Sequence, residues 1–471
     1  MGTSKICLGI TIILLLVALP KALAADIQLG AECSLADAIT AANDDAAVAG
    51  CAAGAGLDTI LLSENVLLDQ ELPVIKSALA IQGNDQFFIS GDNRFRIFLV
   101  GPEGELTLRN LILARGISRA GGALCGAANG ADRFGGAVCN LGALVILDSH
   151  FTRNAAAAGG AIFSQAGTLR ISNSRFSDNT ATGDGGALYL HEGSLGVHGG
   201  NFVDNVAVTN GGAIFSQAAS IDIRASEFRS NQANDDGGAM QANGGEIDIS
   251  GSVYDNNRTT DDGGALRVKN SILQVSGSTF SGNQAADNGG ALHSNASSSR
   301  LNNSTFYANS AAYGGAISIA DDDAMIKHVT VVYNSASQLG GGIMICCESP
   351  EEVGHLFLRH SILAGNDGGD CGVNIHGVLE DSSFNLIGDG SCEGAPVDPQ
   401  LGELIQPAPS GPAYYPLSPD SPALDAGDFY LCSQSDQIGT ARPQGESCDI
   451  GAIEVAENST PLDTPEESGE G

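Results

Sequence analysis

Tryptophan is absent from the 471 residues, aromatics reach only 5%, and methionine occurs 4 times. A chain this long with so few large side chains cannot rest on one big globular core. Bases are scarce as well, 21 Lys+Arg against 55 Asp+Glu, for a net charge of −34. Nucleic acid, heparin-like glycans and anionic membranes are repelled by that balance. Charged residues are still only 16% and apolar residues 43%, so the chain is not a solvated acidic tail. No Cys-x-x-Cys occurs and no His stands at ligand spacing from a Cys, which removes the usual zinc sites. Gly-x-Ser-x-Gly, His-Glu-x-x-His and phosphate-loop motifs are also missing. What is abundant is glycine, 63 residues, about twice the usual ~7%.

The start of the chain reads as an export signal. Met1 to Lys5 is basic, Ile6 to Leu19 is apolar, and Ala22-Leu23-Ala24 is a small-x-small cleavage site. The apolar run falls short of the ~20 residues a membrane span needs, and no second one follows. Residues 1–24 are therefore expected to be a signal peptide, and the rest to be exported with no transmembrane segment. Of 11 cysteines, Cys7 leaves with the signal, and an even number remains for an oxidising compartment. Their local grouping predicts disulfides Cys33–Cys51, Cys125–Cys139, Cys371–Cys392 and Cys432–Cys448. The adjacent Cys346 and Cys347 are left without an assigned pairing.

A repeat decides the fold class. Gly-Gly-Ala starts at Gly159, Gly185, Gly211, Gly237, Gly263, Gly289 and Gly314, and a variant starts at Gly340, in steps of 26 with one of 25. Ahead of the copies stands aromatic-x-x-Asn, from Phe151/Asn154 through Asn179, Asn205, Asn231, Asn257 and Asn283 to Phe306/Asn309, and Asn334 closes the series. Between these marks the sequence alternates with period two and shows no helical stripe. Leucine-rich repeats lack the matching Leu frame, and propeller blades need longer units. One coil of a parallel β-helix fits, with three short strands and turns of Gly, Asn and Asp. Coils about 4.8 Å apart would stack Phe inside the core and the Asn side chains as a structural ladder. Parallel crossovers favour a right-handed coil. The fold class is thus all-β, a right-handed parallel β-helix over residues 57–366.

Its ends need covers. Cys33-Ser34-Leu35-Ala36-Asp37-Ala38-Ile39 opens like a capped helix with Ser34 as N-cap, so residues 25–56 read as an N-terminal cap. After Asn366 the period is lost, and residues 367–455 carry four cysteines and most of the prolines. They read as irregular, disulfide-stapled closure of the C-terminal end. Residues 456–471 form an acidic tail expected to be disordered.

The same residues carry family resemblances. The Gly-Gly-Ala-Ile/Leu and Phe-x-x-Asn units resemble the repeats of polymorphic outer-membrane proteins. Cys33 to Ile39 resembles the opening of bacterial CSLREA-domain proteins, with Ala36 and Asp37 in place of the usual Arg and Glu. Ser421-Pro422-Ala423-Leu424-Asp425-Ala426-Gly427-Asp428, Asp436-Gln437-Ile438-Gly439, Arg442-Pro443 and Cys448 to Ala452 resemble the end of the choice-of-anchor Q family. Together these resemblances imply a bacterial, exported, right-handed β-helix, secreted or on the cell surface. Polymorphic outer-membrane proteins also carry a C-terminal β-barrel, and no barrel strands follow Glu454 here, which leaves the mode of attachment open.

Alternation after each Gly-Gly-Ala places Phe163, Tyr189, Phe215, Gln241, Arg267, His293 and Ser318 on an outward ladder near a corner. Gln165, His191, Gln217, Asn243, Lys269 and Asn295 run beside it. Stacked aromatics followed by amides and a basic pair can form a glycan-binding strip; the plain alternative is that a loop covers them. Asp236 and Asp262, with Asp235, Asp261 and Asp287, stack at the turn before Gly-Gly. Calcium can relieve their repulsion, although Asp also suits such turns without a ligand. No other cofactor and no catalytic residue is assigned. Arg267 and Lys269 are the only basic pair on this side, and neighbouring acids hold a Lys protonated, the wrong state for a general base. The expectation is a monomeric, adhesive or glycan-contacting scaffold whose partner is a polysaccharide or cell-surface glycan. The alternative is a polysaccharide lyase or glycosidase.

Overall fold

The structure is a computed structural model that describes residues 25–84, 86–118, 125, 133–346, 353–374, 376–392, 394–407 and 411–456. Residues 1–24, expected to be a signal peptide, Cys347 and the tail from 457 lie outside the described residues.

One coil shows how the repeat closes. Strands Ile162–Gln165, Thr168–Ser172 and Arg175–Ser177 form three faces, and the short strand Thr180–Ala181 leads to the next Gly-Gly-Ala. Ala166, Asn173 and Asp178 take left-handed backbone angles and mark the bends between them. Each strand pairs in parallel with its counterpart one coil on: Ile162 with Leu188, Thr168 with Ser194, Arg175 with Asn201. The chain is therefore a parallel β-solenoid, as the period required. In two coils the first and second strands fuse, as Met240–Ser250 and Leu266–Ser276.

Inward residues fill the lumen. Phe151, Phe176, Phe202, Phe228, Tyr254, Phe280 and Phe306 stack with ring centroids 4.6–4.9 Å apart, all fully buried. Tyr254 alone brings a hydroxyl into this stack, and that oxygen has no hydrogen-bond partner among the described residues. Burial pushes its phenol strongly upward, since no water can solvate the phenolate. A buried unsatisfied hydroxyl costs about 1–3 kcal/mol. Tyr254→Phe is thus expected to raise the unfolding free energy by about 1 kcal/mol, read from denaturant unfolding; a loss of stability would show that the hydroxyl is satisfied.

The asparagines form a spine beside the rings. Asn205 Nδ2 donates to Asn231 Oδ1 at 2.9 Å and to the Phe176 carbonyl at 2.9 Å, and the Asn205 amide N–H also donates to Asn231 Oδ1. The pattern runs from Asn154 through Asn179, Asn205, Asn231, Asn257, Asn283 and Asn309 to Asn334, then to Asn366. It ends where Asn366 donates to Asp370 Oδ1 at 2.8 Å, an acceptor that needs no further coil.

Helix Leu35–Asp44 covers the N-terminal end. Ser34 Oγ accepts from the Asp37 amide at 3.2 Å, Cys33 bonds to Cys51, and Leu35, Ala38, Ile39, Ala41 and Ala42 join the core. Strand Asp26–Gln28 already pairs with Asp58–Leu61, so the cap contributes the first strand of a ladder. Among the described residues no helix is long and apolar enough to cross a membrane.

The C-terminal region departs from expectation in two ways. Parallel pairing continues beyond 366, with Cys371–Val373, Gly377–Ser383 and Leu386–Ile387 stacked on the preceding coil. The extra chain between Cys346 and Gly354 stretches the Asn step from 334 to 366, so the repeat breaks in sequence while the coil persists in space. Cys392, bonded to Cys371, enters the core at that end. Residues beyond it do not simply close the end but fold back along the third face. Gln437 meets Thr279 and Thr305, the Ala452 amide donates to Thr330, and the Asp428 amide donates to His360. Cys432–Cys448 staples this cover.

Candidate functional site

Each Gly-Gly-Ala makes the corner that shapes the outer surface. At Gly185 φ is +68°, and a Cβ on Gly186 would collide with the Gly212 carbonyl of the next coil. This tight corner brings the residues just before Gly-Gly over the strand that follows. The result is a groove on the first face rather than an open strip.

Its floor is the predicted ladder. Phe163, Tyr189, Phe215, Gln241, Arg267, His293 and Ser318 stand in continuous register. They are not in the lumen, yet the structure buries all of them except Tyr189: Phe163 is 5%, Phe215 6%, Gln241 5%, Arg267 6% and His293 1% exposed. The exposed setting expected for Arg267 is corrected accordingly. Asp236 reaches its guanidinium at 3.4 Å, Asp262 at 4.0 Å, and Asp262 also lies 3.7 Å from His293. Arg267 therefore cannot be removed without leaving carboxylates uncompensated in the wall. Lys269 is half-buried beside it.

At the other end the ladder is aromatic. Phe134 stacks on Phe163 at 4.7 Å and Phe163 on Tyr189 at 5.3 Å, while Phe215 sits 4.9 Å from Tyr189 with its ring tilted by 30°. Cys125, bonded to Cys139, packs against Phe163 and covers part of the stack. A cleft of about 450 Å³ remains, lined by Phe134, Tyr189, Asp184, Gln165, His191 and Gln217 among others. His191 Nδ1 sits 3.2 Å from Gln217 Oε1, and Asp184 is held by Asn210 Nδ2 at 2.9 Å. The Tyr189 phenol is raised by burial and then by Asp184. An aromatic wall with fixed amide, imidazole and carboxylate groups can stack an apolar ring face and hydrogen-bond its edge. Phe134 was missed in the sequence, although it holds the place before Gly-Gly that Asp184 and Asn210 hold later.

Burial and crowding perturb three carboxyls of the acidic wall. Burial pushes the Asp236 carboxyl up to about 6; Arg267 opposes this, while Asp262, Asp261 and Asp235 add to it. Asp261 and Asp287 are raised too, first by burial and then by neighbouring carboxylates. Asp235, Asp236 and Asp261, and likewise Asp261, Asp262 and Asp287, bring carboxylate oxygens within 4.8 Å of one another. A calcium ion has the oxygen donors it prefers there, but Arg267 and His293 compete for the same carboxylates. His328, His360 and Cys448 also converge, but Cys448 is committed to Cys432 and offers no thiolate.

Stacked parallel coils, a buried amide spine and an outer groove built at the Gly-Gly corner define a β-solenoid repeat protein. Residues 173–191 and 277–295 match the Chlamydia polymorphic membrane protein repeat. Each matched stretch runs from a third-face strand through the spine Asn and the corner to a groove residue, Tyr189 in one and His293 in the other. The chain thus contains repeats of polymorphic-membrane-protein type. No curated protein and no solved structure matches it.

Proposed function

We propose that this chain is an exported bacterial scaffold, a right-handed β-helix displayed at the cell surface or released, which contacts glycans through the first-face groove. The aromatic stack Phe134–Phe163–Tyr189–Phe215, open at Tyr189 beside Gln165, His191 and Gln217, carries this reading. The two matched repeats support surface display, and four disulfides suit an oxidising compartment. A neutral oligosaccharide array tests the proposal. Wild-type protein is expected to bind a subset of the array, and Tyr189→Ala to bind it at least tenfold more weakly with unchanged circular dichroism. Absence of binding across the array, or binding indifferent to Tyr189, would overturn it.

One observation favours the enzymatic alternative. A carboxyl raised to about 6 beside Asp262 in a groove is a pattern found in acid–base sites. Against it, Arg267 already engages both carboxylates. Release of reducing ends or unsaturated products from a polysaccharide panel, abolished by Asp236→Asn, would establish catalysis.

A further inference from the structure

The second face carries an open depression of about 390 Å³ centred on Gly196, apart from the groove. Gly196 sits mid-strand in Ser194–His198, between Arg170 of the preceding coil and Asp222 of the next. Glycine weakens a strand interior, so it needs a reason there. A left-handed backbone is one reason, but Gly196 is not among the residues with positive φ. Crowding is another, but a Cβ built on Gly196 meets nothing within 4 Å. Gly186 shows the contrast, because the neighbouring coil's carbonyl forbids its Cβ. Neither steric reason accounts for Gly196, and the missing side chain leaves room for close approach from outside.

The surroundings say what kind. Arg170, His198 and Arg224, with one carboxylate, Asp222, gather around the gap in a protein of net charge −34. Asp222 holds Arg224 in place at 2.7 Å, while Arg170 forms no ion pair among the described residues. The hydroxyls of Ser194 and Ser220 line the same depression. Two guanidiniums suit a carboxylate, whose oxygens match their paired donors. The acidic remainder of the surface repels a long polyanion but is screened beyond roughly 8 Å at physiological salt. We propose that this depression binds a single carboxylate-bearing sugar within an otherwise neutral glycan. The acid group meets Arg170 and Arg224, and the ring lies over Gly196 where a side chain would stand.

This site is independent of the first-face groove, and the test keeps them apart. The probe is a neutral trisaccharide ending in glucuronic acid, titrated calorimetrically beside its methyl ester. The acid is expected to bind at least tenfold more tightly than the ester. Gly196→Thr should weaken binding of the acid at least tenfold while the melting temperature holds or rises, because Thr suits an exposed strand. Arg170→Ala, a surface change that leaves the coil intact, should weaken it comparably, and Tyr189→Ala should leave it unchanged. No binding of the acid, equal binding of acid and ester, or undiminished binding in the Gly196→Thr and Arg170→Ala variants overturns the proposal.

Discussion

Asn231→Ala is expected to cost about 4 kcal/mol of unfolding free energy, as several buried groups lose partners worth about 1–3 kcal/mol each. Asn231 Oδ1 accepts from both the side chain and the main chain of Asn205, and Asn231 Nδ2 donates to the Phe202 carbonyl at 2.9 Å. An alanine strands those groups where no water reaches, because Asn205 and Asn231 are both 0% exposed. Gln232→Ala, one residue on and exposed, should change stability by less than about 0.5 kcal/mol. Denaturant unfolding of both variants measures the contrast. A difference under about 1 kcal/mol would mean that the spine is a consequence of coil stacking rather than a cause of it.

The spine was legible in sequence because it is a periodic necessity. Phe and Asn recur at fixed distance from Gly-Gly-Ala, and stacked equivalent positions demand the same residue in each coil. The groove was legible only in part. Alternation gives the side of the strand on which Phe215 or Arg267 stands, and the register agrees. It gives no measure of cover, which comes from carboxylates at the preceding corner folding onto Arg267 and His293. The last coil was lost because the extra residues before Gly354 disturb the period without disturbing the pairing. Gly196 escaped notice for a different reason. Among so many glycines, one with ordinary strand geometry stands out only once its surroundings are known.

Arg442→Ala is expected to release the cover on the third face at a cost of about 3–5 kcal/mol, the range for breaking a buried ion pair. The Arg442 side chain is 0% and that of Glu454 1% exposed, with Nη1 and Oε2 3.2 Å apart. Arg442 also donates to the carbonyls of Asp449 at 2.6 Å and Gly451 at 2.8 Å, so one side chain ties three points of the cover. Without it, Glu454 stays buried beside Asp449 with no cation. Burial already raises the Glu454 carboxyl; hydrogen bonds from the Asp449 and Gln444 amides restrain this, the Asp449 charge adds to it and Arg442 opposes it. A carboxyl raised above its unfolded value binds more protons when folded, so its penalty grows as pH rises through the folded value and shrinks below it. The deficit of Arg442→Ala should therefore be smaller at pH 5 than at pH 7. Limited proteolysis should cut within residues 411–456 while the solenoid up to Phe280 stays resistant, since its rings and spine do not depend on the cover. Arg442→Met with Glu454→Gln, which removes both charges, should recover at least half of the loss. An Arg442→Ala protein within about 0.5 kcal/mol of wild type, or a double variant no better than the single, would show that Gln437 and the Cys432–Cys448 staple hold the cover without the ion pair.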